Sequence, residues 1–485
     1  MNAADYLLER ADPERVAVVT DTGVYTYREL RARVGGVVCA LAELGVARGD
    51  RVGLVGDNSL EWIANYLGTL AAGAVAVPLS PRLRPDQLGE LAVATGCCAF
   101  AIEDRYQGRF ASALPAGARL FACRPGAPAA CVAVEDRTEL AALMFTSGST
   151  GAPRAVMVSH RNVIANTAGI VEYLELDERD RIMVVLPFHY CFGASLLHTH
   201  LRAGGSLVIN NQFAFPQLVL DQLERTQCTG LAGVPSTYQI LLRSSNLGQR
   251  ALPALRKLQQ AGGRLLDVYI HQLRTALPDA RLYVMYGQTE ATARLSYLQP
   301  AELPGRVGSI GKGMPGVELR VLHPDGTPVE VGEVGEIVAR GDSIACGYWH
   351  DSELTAQGFR DGALWTGDLA RVDADGFIFV VDRARDFIKA SGHRVAARQV
   401  EDAIAAVADV IEAAVIGVPD DVLGEAIKAF VVLRRDAAAT RDDILRHCRR
   451  VLPAYSVPRE LVVLPALPLG PSGKVAKSEL RSWRA

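Results

Sequence analysis

Between Phe145 and Arg154 the chain reads Phe-Thr-Ser-Gly-Ser-Thr-Gly-Ala-Pro-Arg. Thr146, Ser147, Ser149 and Thr150 supply hydroxyl donors, and Arg154 adds a permanent guanidinium. Gly148 and Gly151 let the backbone curl so that amide N–H groups converge on one point. Such a donor set suits a polyphosphate. Apolar residues 140–145 precede the loop and the β-branched stretch 155–158 follows it, so the loop joins two strands. A Walker A loop instead runs from strand to helix through Gly-Lys-Ser/Thr, which is absent here. Taken alone, the same composition also describes an ordinary Ser/Gly-rich surface turn.

Three more groups could complete such a site. Tyr286-Gly287-Gln288-Thr289-Glu290 follows an apolar strand pattern at 281–285, which places its polar residues at the carboxyl edge of a parallel sheet, where α/β proteins bind ligands. Glu290 could hold magnesium beside the phosphates, since that ion takes hard oxygen ligands and keeps phosphates as co-ligands. A helix cap or a solvated charge is the commoner use of such a Glu. Trp365-Thr366-Gly367-Asp368 puts a carboxylate after a tight turn, where it could accept two hydroxyl hydrogen bonds from a ribose diol or merely stabilise the turn. Pro471-Ser472-Gly473-Lys474 sets a lysine on a glycine-containing loop.

The elements that must carry these groups alternate. Thr26 and Glu29 form a capping box for a helix ended by Gly45, residues 51–55 read as a buried strand, and a helix at 59–72 closes at Gly73 before a strand at 74–77. Residues 107–137, rich in Ala, Pro and Gly, read as an irregular excursion. Beyond the loop, strands are expected at 181–186, 206–210, 231–234, 257–260 and 281–285, with helices at 162–174, 216–226 and 265–277 between them. This β-α rhythm implies parallel sheets covered by helices. From 307 to 381 glycine-rich β segments separated by turns suggest a small antiparallel barrel. From about 386 a hairpin, a helix near 399–407, strands near 410–418 and 429–433 and a helix near 441–451 make an α+β unit. The fold class expected is therefore α/β, with a large N-terminal domain of two layered sheets plus a small β-barrel and a small C-terminal α+β domain. The charged run 382–386 has the look of a hinge, giving domains at 1–384 and 385–485.

The chain has 485 residues, enough for several subdomains, and its net charge of -3 leaves no electrostatic footprint for nucleic acid. Nine cysteines without zinc spacing fit reduced thiols in the cytoplasm. No apolar run reaches the length of a membrane span, and the N-terminus lacks a secretion-signal pattern.

Together the ordered motifs carry a resemblance that none carries alone. Thr-Ser-Gly-Ser-Thr-Gly-x-Pro-Arg, Tyr-Gly-Gln-Thr-Glu, residues 335–341, Trp-Thr-Gly-Asp, Asp-Arg-x-Arg-Asp with Lys389 and Gly392, and the final Ser-Gly-Lys make the chain similar to the AMP-forming adenylating superfamily. That group contains acyl-CoA synthetases, adenylation domains and beetle luciferases. The resemblance implies ATP, magnesium and a carboxylic acid: an acyl-adenylate forms with release of pyrophosphate, then a thiol displaces AMP. It also implies roles. The loop from Thr146 to Arg154 would hold the outer phosphates, Thr289 the α-phosphate and Glu290 magnesium. Tyr286 and Gly287 with Gln260, Ala261 and Gly262 would form the adenine slot, and Asp368 and Arg383 would bind ribose. Lys474 would bridge the carboxylate and the α-phosphate, on a C-terminal domain that rotates about Arg385 between half-reactions. Where the superfamily usually ends its loop Pro-Lys-Gly, this chain has Pro153-Arg154-Ala155.

The acyl pocket is expected near residues 187–195, with His189 orienting the carboxylate side and Tyr190, Gly193, Val234 and Gly263 among the walls, together with Ser236, Thr237 and Tyr238. Amino-acid adenylation domains show Phe-Asp-x-Ser where this chain has Phe192-Gly193-Ala194-Ser195. A buried ammonium without a carboxylate partner is costly, so the change argues against α-amino acids and for an uncharged acyl group. His198 and His200 suggest a metal only weakly against core positions. No fused carrier domain follows Lys474, so the thiol comes in trans from coenzyme A or a carrier-bound phosphopantetheine. Homodimer formation is left open.

Overall fold

The protein is described by a computed structural model that places residues 1–134, 139–146, 153–383, 387–390, 393–420, 424–434, 436–468 and 475–483. Its six-stranded sheet runs in spatial order Arg119–Phe121, Cys97–Ile102, Arg51–Val55, Val75–Leu79, Leu140–Thr146 and Arg154–Ser159. The first five are parallel and the last pair is antiparallel, with Thr146 opposite Arg154. The strand-to-strand setting expected of the Ser/Gly-rich loop is thus present. The excursion at 107–137 is less irregular than its composition suggests, because Arg119–Phe121 adds an edge strand beside Cys97–Ile102.

The nine-stranded sheet places Arg281–Tyr286, Lys257–Gln260, Gly230–Gly233 and Arg181–Val184 side by side and parallel. All four are buried almost throughout, as expected of parallel strands covered on both faces, although Lys257–Gln260 carries only one apolar residue. Beyond Ser206–Ile209, the far edge is built by Val16–Val19 and Val24–Thr26 from the start of the chain. Helix ends are fixed locally. Thr26 and Glu29 form the expected capping box for Tyr27–Glu43, Ser59 caps Leu60–Ala71, and Ser159 with Asn162 caps His160–Leu174. One core packs the helices Ala3–Leu8, Tyr27–Glu43, Leu60–Ala71, His160–Leu174 and Cys191–Ala203 against strands of both sheets, and a second lies on the other face of the nine-stranded sheet.

The antiparallel unit is a five-stranded sheet in which Val317–Leu322, Gly335–Gly341 and Ala363–Val372 pair in turn, while Phe359–Arg360 and Ile378–Arg383 both pair with Ala363–Val372. Among the described strands its ladder branches at Ala363–Val372, and Ile378 continues it by exchanging backbone hydrogen bonds with Ile310 and Gly311 at 2.9 and 3.1 Å. After it, Phe387–Ala390, His393–Ala396, Val410–Asp420, Gly424–Leu433 and Glu460–Val463 form a separate sheet whose cores draw only on residues from 388 onward. This C-terminal unit rests on the large one through an Arg264–Asp402 ion pair at 2.6 Å, the Tyr269 hydroxyl donating to the Ile411 carbonyl at 3.1 Å and Arg243 donating to the Ala408 carbonyl at 3.1 Å. No described helix is long and apolar enough to cross a membrane. None of the nine cysteines is in a disulfide.

Candidate active site

Four adjacent parallel strands, Arg281–Tyr286, Lys257–Gln260, Gly230–Gly233 and Arg181–Val184, end on the same edge of the nine-stranded sheet. The segments that follow them carry Tyr286 to Glu290, Gln260 to Gly263, Val234 and His189 with Tyr190, so the sheet itself gathers residues scattered over a hundred positions. The Tyr286 hydroxyl donates to Asp368 Oδ2 at 2.6 Å. Asp368 lies opposite Arg383 in the ladder between Ala363–Val372 and Ile378–Arg383, so the pair expected to bind ribose shares one register position. Asp368 does not follow a tight turn, as its sequence suggested. It sits within a strand, at a bulge where Gly367 has φ +74° and its N–H donates to Glu336 Oε1 at 2.8 Å. The bulge re-aims the carboxylate toward Tyr286.

Gln260 is fully buried, and its Nε2 donates to the Gly263 carbonyl at 2.7 Å, closing a turn in which Gly262 has φ +86°. Ala261 is buried, and Gly263 faces Pro235 beside Val234. The side chain of Gln260 therefore holds the 261–263 turn from its buried side.

Glu290 and the stem of the Ser/Gly-rich loop are joined through Tyr348, a residue the sequence reading passed over. Met157 exchanges backbone hydrogen bonds with residues 346–347, its N–H donating to the Gly347 carbonyl at 2.9 Å and its carbonyl accepting from Cys346 N–H at 2.9 Å. That ladder lays Tyr348 along Arg154–Ser159. The Tyr348 hydroxyl then donates to Glu290 Oε1 at 2.9 Å, and the Arg154 guanidinium stands 5.9 Å from the centre of the same ring. Burial and the adjacent Glu290 carboxylate push the Tyr348 hydroxyl pKa well above its usual range, with Arg154 opposing them, so the group stays a donor. Thr289 is buried and donates to Cys191 Sγ at 3.4 Å. Ser147, Gly148, Ser149, Thr150, Gly151, Arg385 and Lys474 lie outside the described residues.

On the other side of Thr289, the helix Cys191–Ala203 packs its first turn against the end of Arg181–Val184. A Cβ on Gly193 would collide with the Pro187 carbonyl oxygen and lie 3.0 Å from that of Leu186. Gly193 therefore serves close packing and does not open a wall of the pocket. Tyr238 is likewise not a pocket residue, being fully buried with its hydroxyl donating to the Leu231 carbonyl at 3.0 Å in the second core. His198 Nε2 lies 2.9 Å from the Tyr66 hydroxyl and His200 Nδ1 2.9 Å from the Leu196 carbonyl, both buried. No cluster of three metal-ligating side chains occurs among the described residues.

The chain after Glu290 turns abruptly. Thr292 has φ +65° and ψ -53°, and Ala293 N–H donates to the Ala291 carbonyl at 2.7 Å, which is the rare, strained form of the γ-turn. For a β-branched residue this conformation is a genuine outlier. The turn drives Arg294 inward. Its side chain is 1% exposed, with the guanidinium 4.6 Å from the Phe192 ring centre and hydrogen-bonded to Tyr173, whose hydroxyl burial pushes up to about 12 against the pull of that cation. Arg294 Nε and Nη2 have no hydrogen-bond partner, and no described carboxylate pairs with it. A desolvated ring face returns about 2 kcal/mol, against a desolvation cost of several kcal/mol for the cation.

With this geometry in view, residues 8–349 match the model of the AMP-binding enzyme family and residues 399–474 that of the AMP-binding enzyme C-terminal domain. The chain belongs to the AMP-binding enzyme family. It is 33% identical to a feruloyl-CoA synthase from an Amycolatopsis species over 97% of this chain and 96% of that one. It is 31% identical to a long-chain-fatty-acid–CoA ligase from Yersinia pestis over 94% and 90%. Among solved structures, ATP-bound MatB from Rhodopseudomonas palustris aligns with a TM-score of 0.90 at 28% identity, covering 99% of this chain and 98% of that one. Within the AMP-binding enzyme family the chain thus stands near the acyl-CoA ligases.

The sequence reading named neither Arg294 nor Tyr348, although both lie within the matched residues 8–349. A sequence signal existed for the first: Arg294 is a lone cation inside the small, apolar run of Ala291, Thr292, Ala293 and Leu295. Tyr348 offered none beyond its place after Gly347.

Proposed function

We propose that this member of the AMP-binding enzyme family joins a carboxylic acid to coenzyme A, using ATP and magnesium, with the residues above in the following roles. A carboxylate oxygen attacks the α-phosphorus of ATP, the bond to the bridging oxygen breaks, and pyrophosphate leaves. The thiolate sulfur of coenzyme A then attacks the acyl carbon and AMP departs with the bonding pair. A carboxylate repels nucleophiles by its charge, and the mixed anhydride gives it a good leaving group.

The nucleotide lies across the strand ends, adenine against Tyr286, Gly287 and the 260–262 turn, ribose on Asp368 and Arg383. Thr146, residues 147–151 and Arg154 hold the outer phosphates, and Thr289 the inner one. Magnesium, when bound, offsets charge on the triphosphate, and Glu290 is a hard oxygen ligand suited to it, already oriented by Tyr348. Lys474 draws the two anions together, and residues 385–485 swing about Arg385 between the half-reactions, leaving 1–384 fixed. His189, Tyr190, Val234 and Gly263 border the acid, with Gly193 setting the helix that carries the wall. The free thiols suit a reducing, cytoplasmic setting.

The observation that carries this reading is the convergence of Tyr286 with Asp368 and of Glu290 with Tyr348 and Arg154 at one sheet edge. The test is ATP–pyrophosphate exchange with a panel of carboxylic acids, followed by nucleotide analysis. Acid-dependent exchange and AMP as the product are expected. Release of ADP, or exchange indifferent to acid, would reject it.

A further inference from the structure

Arg294 is the one guanidinium in the described residues that is buried beside the acid-binding helix with two of its nitrogens unmatched. Its position is enforced. The strained turn at Thr292 points it inward, Asn166 Nδ2 holds its carbonyl at 2.9 Å, and a Cβ on Gly287 would press on its Cα, so the backbone on both sides is pinned. Backbone strain and a desolvated cation cost free energy in the same place. Neither the Phe192 ring nor the Tyr173 hydroxyl supplies the negative charge that would offset burial. The guanidinium also lies between the 286–290 segment and the first turn of Cys191–Ala203, where the ligase reading puts the organic acid.

We propose that Arg294 receives a second carboxylate on the acid substrate, so that the acids activated are those bearing an anionic group in addition to the carboxylate that is adenylated. This inference rests on the ligase reading. Nε and Nη2 lie on one edge of the planar guanidinium fork, the pair of donors that grips a carboxylate through two parallel hydrogen bonds. The reacting carboxylate is turned toward the α-phosphate near Thr289, and the second one meets the Nε and Nη2 edge of Arg294 beside the Phe192 ring. This revises the sequence-based expectation of an uncharged acyl group while keeping its exclusion of α-amino acids: an ammonium would meet a cation, and a carboxylate meets its counter-ion.

Full-length protein with magnesium and ATP would be assayed by pyrophosphate exchange on matched pairs, each a dicarboxylic acid and its monomethyl ester, across aliphatic chain lengths and aromatic spacers. At least one pair is expected to show kcat/KM about 100-fold or more in favour of the dicarboxylate. In Arg294→Leu that preference should vanish or invert while the KM for ATP stays within about twofold, and Arg294→Lys should retain part of it. Wild-type protein that exchanges esters as well as diacids in every pair would overturn the proposal, whether or not the variants fold. Exchange with no acid of either kind would instead reject the ligase reading itself.

Discussion

On the nucleotide side of the cleft Tyr286 meets Asp368 at 2.6 Å and Tyr348 meets Glu290 at 2.9 Å, so both acidic groups already have a protein donor. On the acid side the Arg294 cation is buried against Phe192 with two nitrogens unmatched, and the adjoining helix is set by the contact of Gly193 with the Pro187 carbonyl. On the proposed reading, one half is assembled before ligand arrives and the other is electrostatically incomplete: a nucleotide would need fixed geometry, and the acid would be chosen by what completes the second half.

The largest effect that would break this contrast is acid unfolding. Burial holds His160 near about 4, His198 near about 3 and His200 near about 4, and the last two sit on the acid-side helix. Their folded pKa values lie below the unfolded 6.5, so the unfolded chain binds more protons and stability falls as pH drops from 6.5 toward 4. Three such groups amount to roughly 4 kcal/mol by pH 5.5. A thermal midpoint flat across that window would show that these histidines charge without unfolding the helix. Next, Lys474→Ala should slow adenylate formation about 10²-fold or more yet leave thioester formation from supplied acyl-adenylate intact. Single-turnover assays of each half-reaction decide it, and equal loss in both would remove the domain-rotation account.

Gly193→Ala should cost about 2 kcal/mol in thermal unfolding and raise KM for the acid while leaving that for ATP unchanged. If ATP binding weakens equally, the two sides are not separable. The smallest effect is expected of Tyr348→Phe, about a tenfold rise in the magnesium needed to half-saturate binding of a nonhydrolysable ATP analogue, read by calorimetry. An unchanged magnesium dependence would mean that Glu290 needs no orienting donor.

The strands that carry the expected nucleotide residues were legible from their β-α rhythm, and loops at strand ends have few places to go. The pairing of Asp368 with Tyr286 was within reach once both were assigned to one ligand, but the bulge that aims the carboxylate was not, since Gly367 reads equally well as a turn. Long-range pairing was invisible: nothing local says that Val16–Val19 lies beside Ser206–Ile209. Arg294 escaped for a different reason. A cation is read as solvated by default, and only burial in three dimensions reverses that reading.

The short ladder between residues 346–349 and the strand Arg154–Ser159 has a further effect on solution behaviour. That strand is the last in the six-stranded sheet, and its Ala155 and Met157 backbone groups would otherwise face outward as a template for another chain. With Met157 bonded to Gly347 and Cys346, and Trp349 N–H donating to the Ala155 carbonyl at 2.8 Å, that margin is sealed within the molecule. Protection from edge-to-edge aggregation and delivery of Tyr348 to its carboxylate are thus obtained from the same few hydrogen bonds.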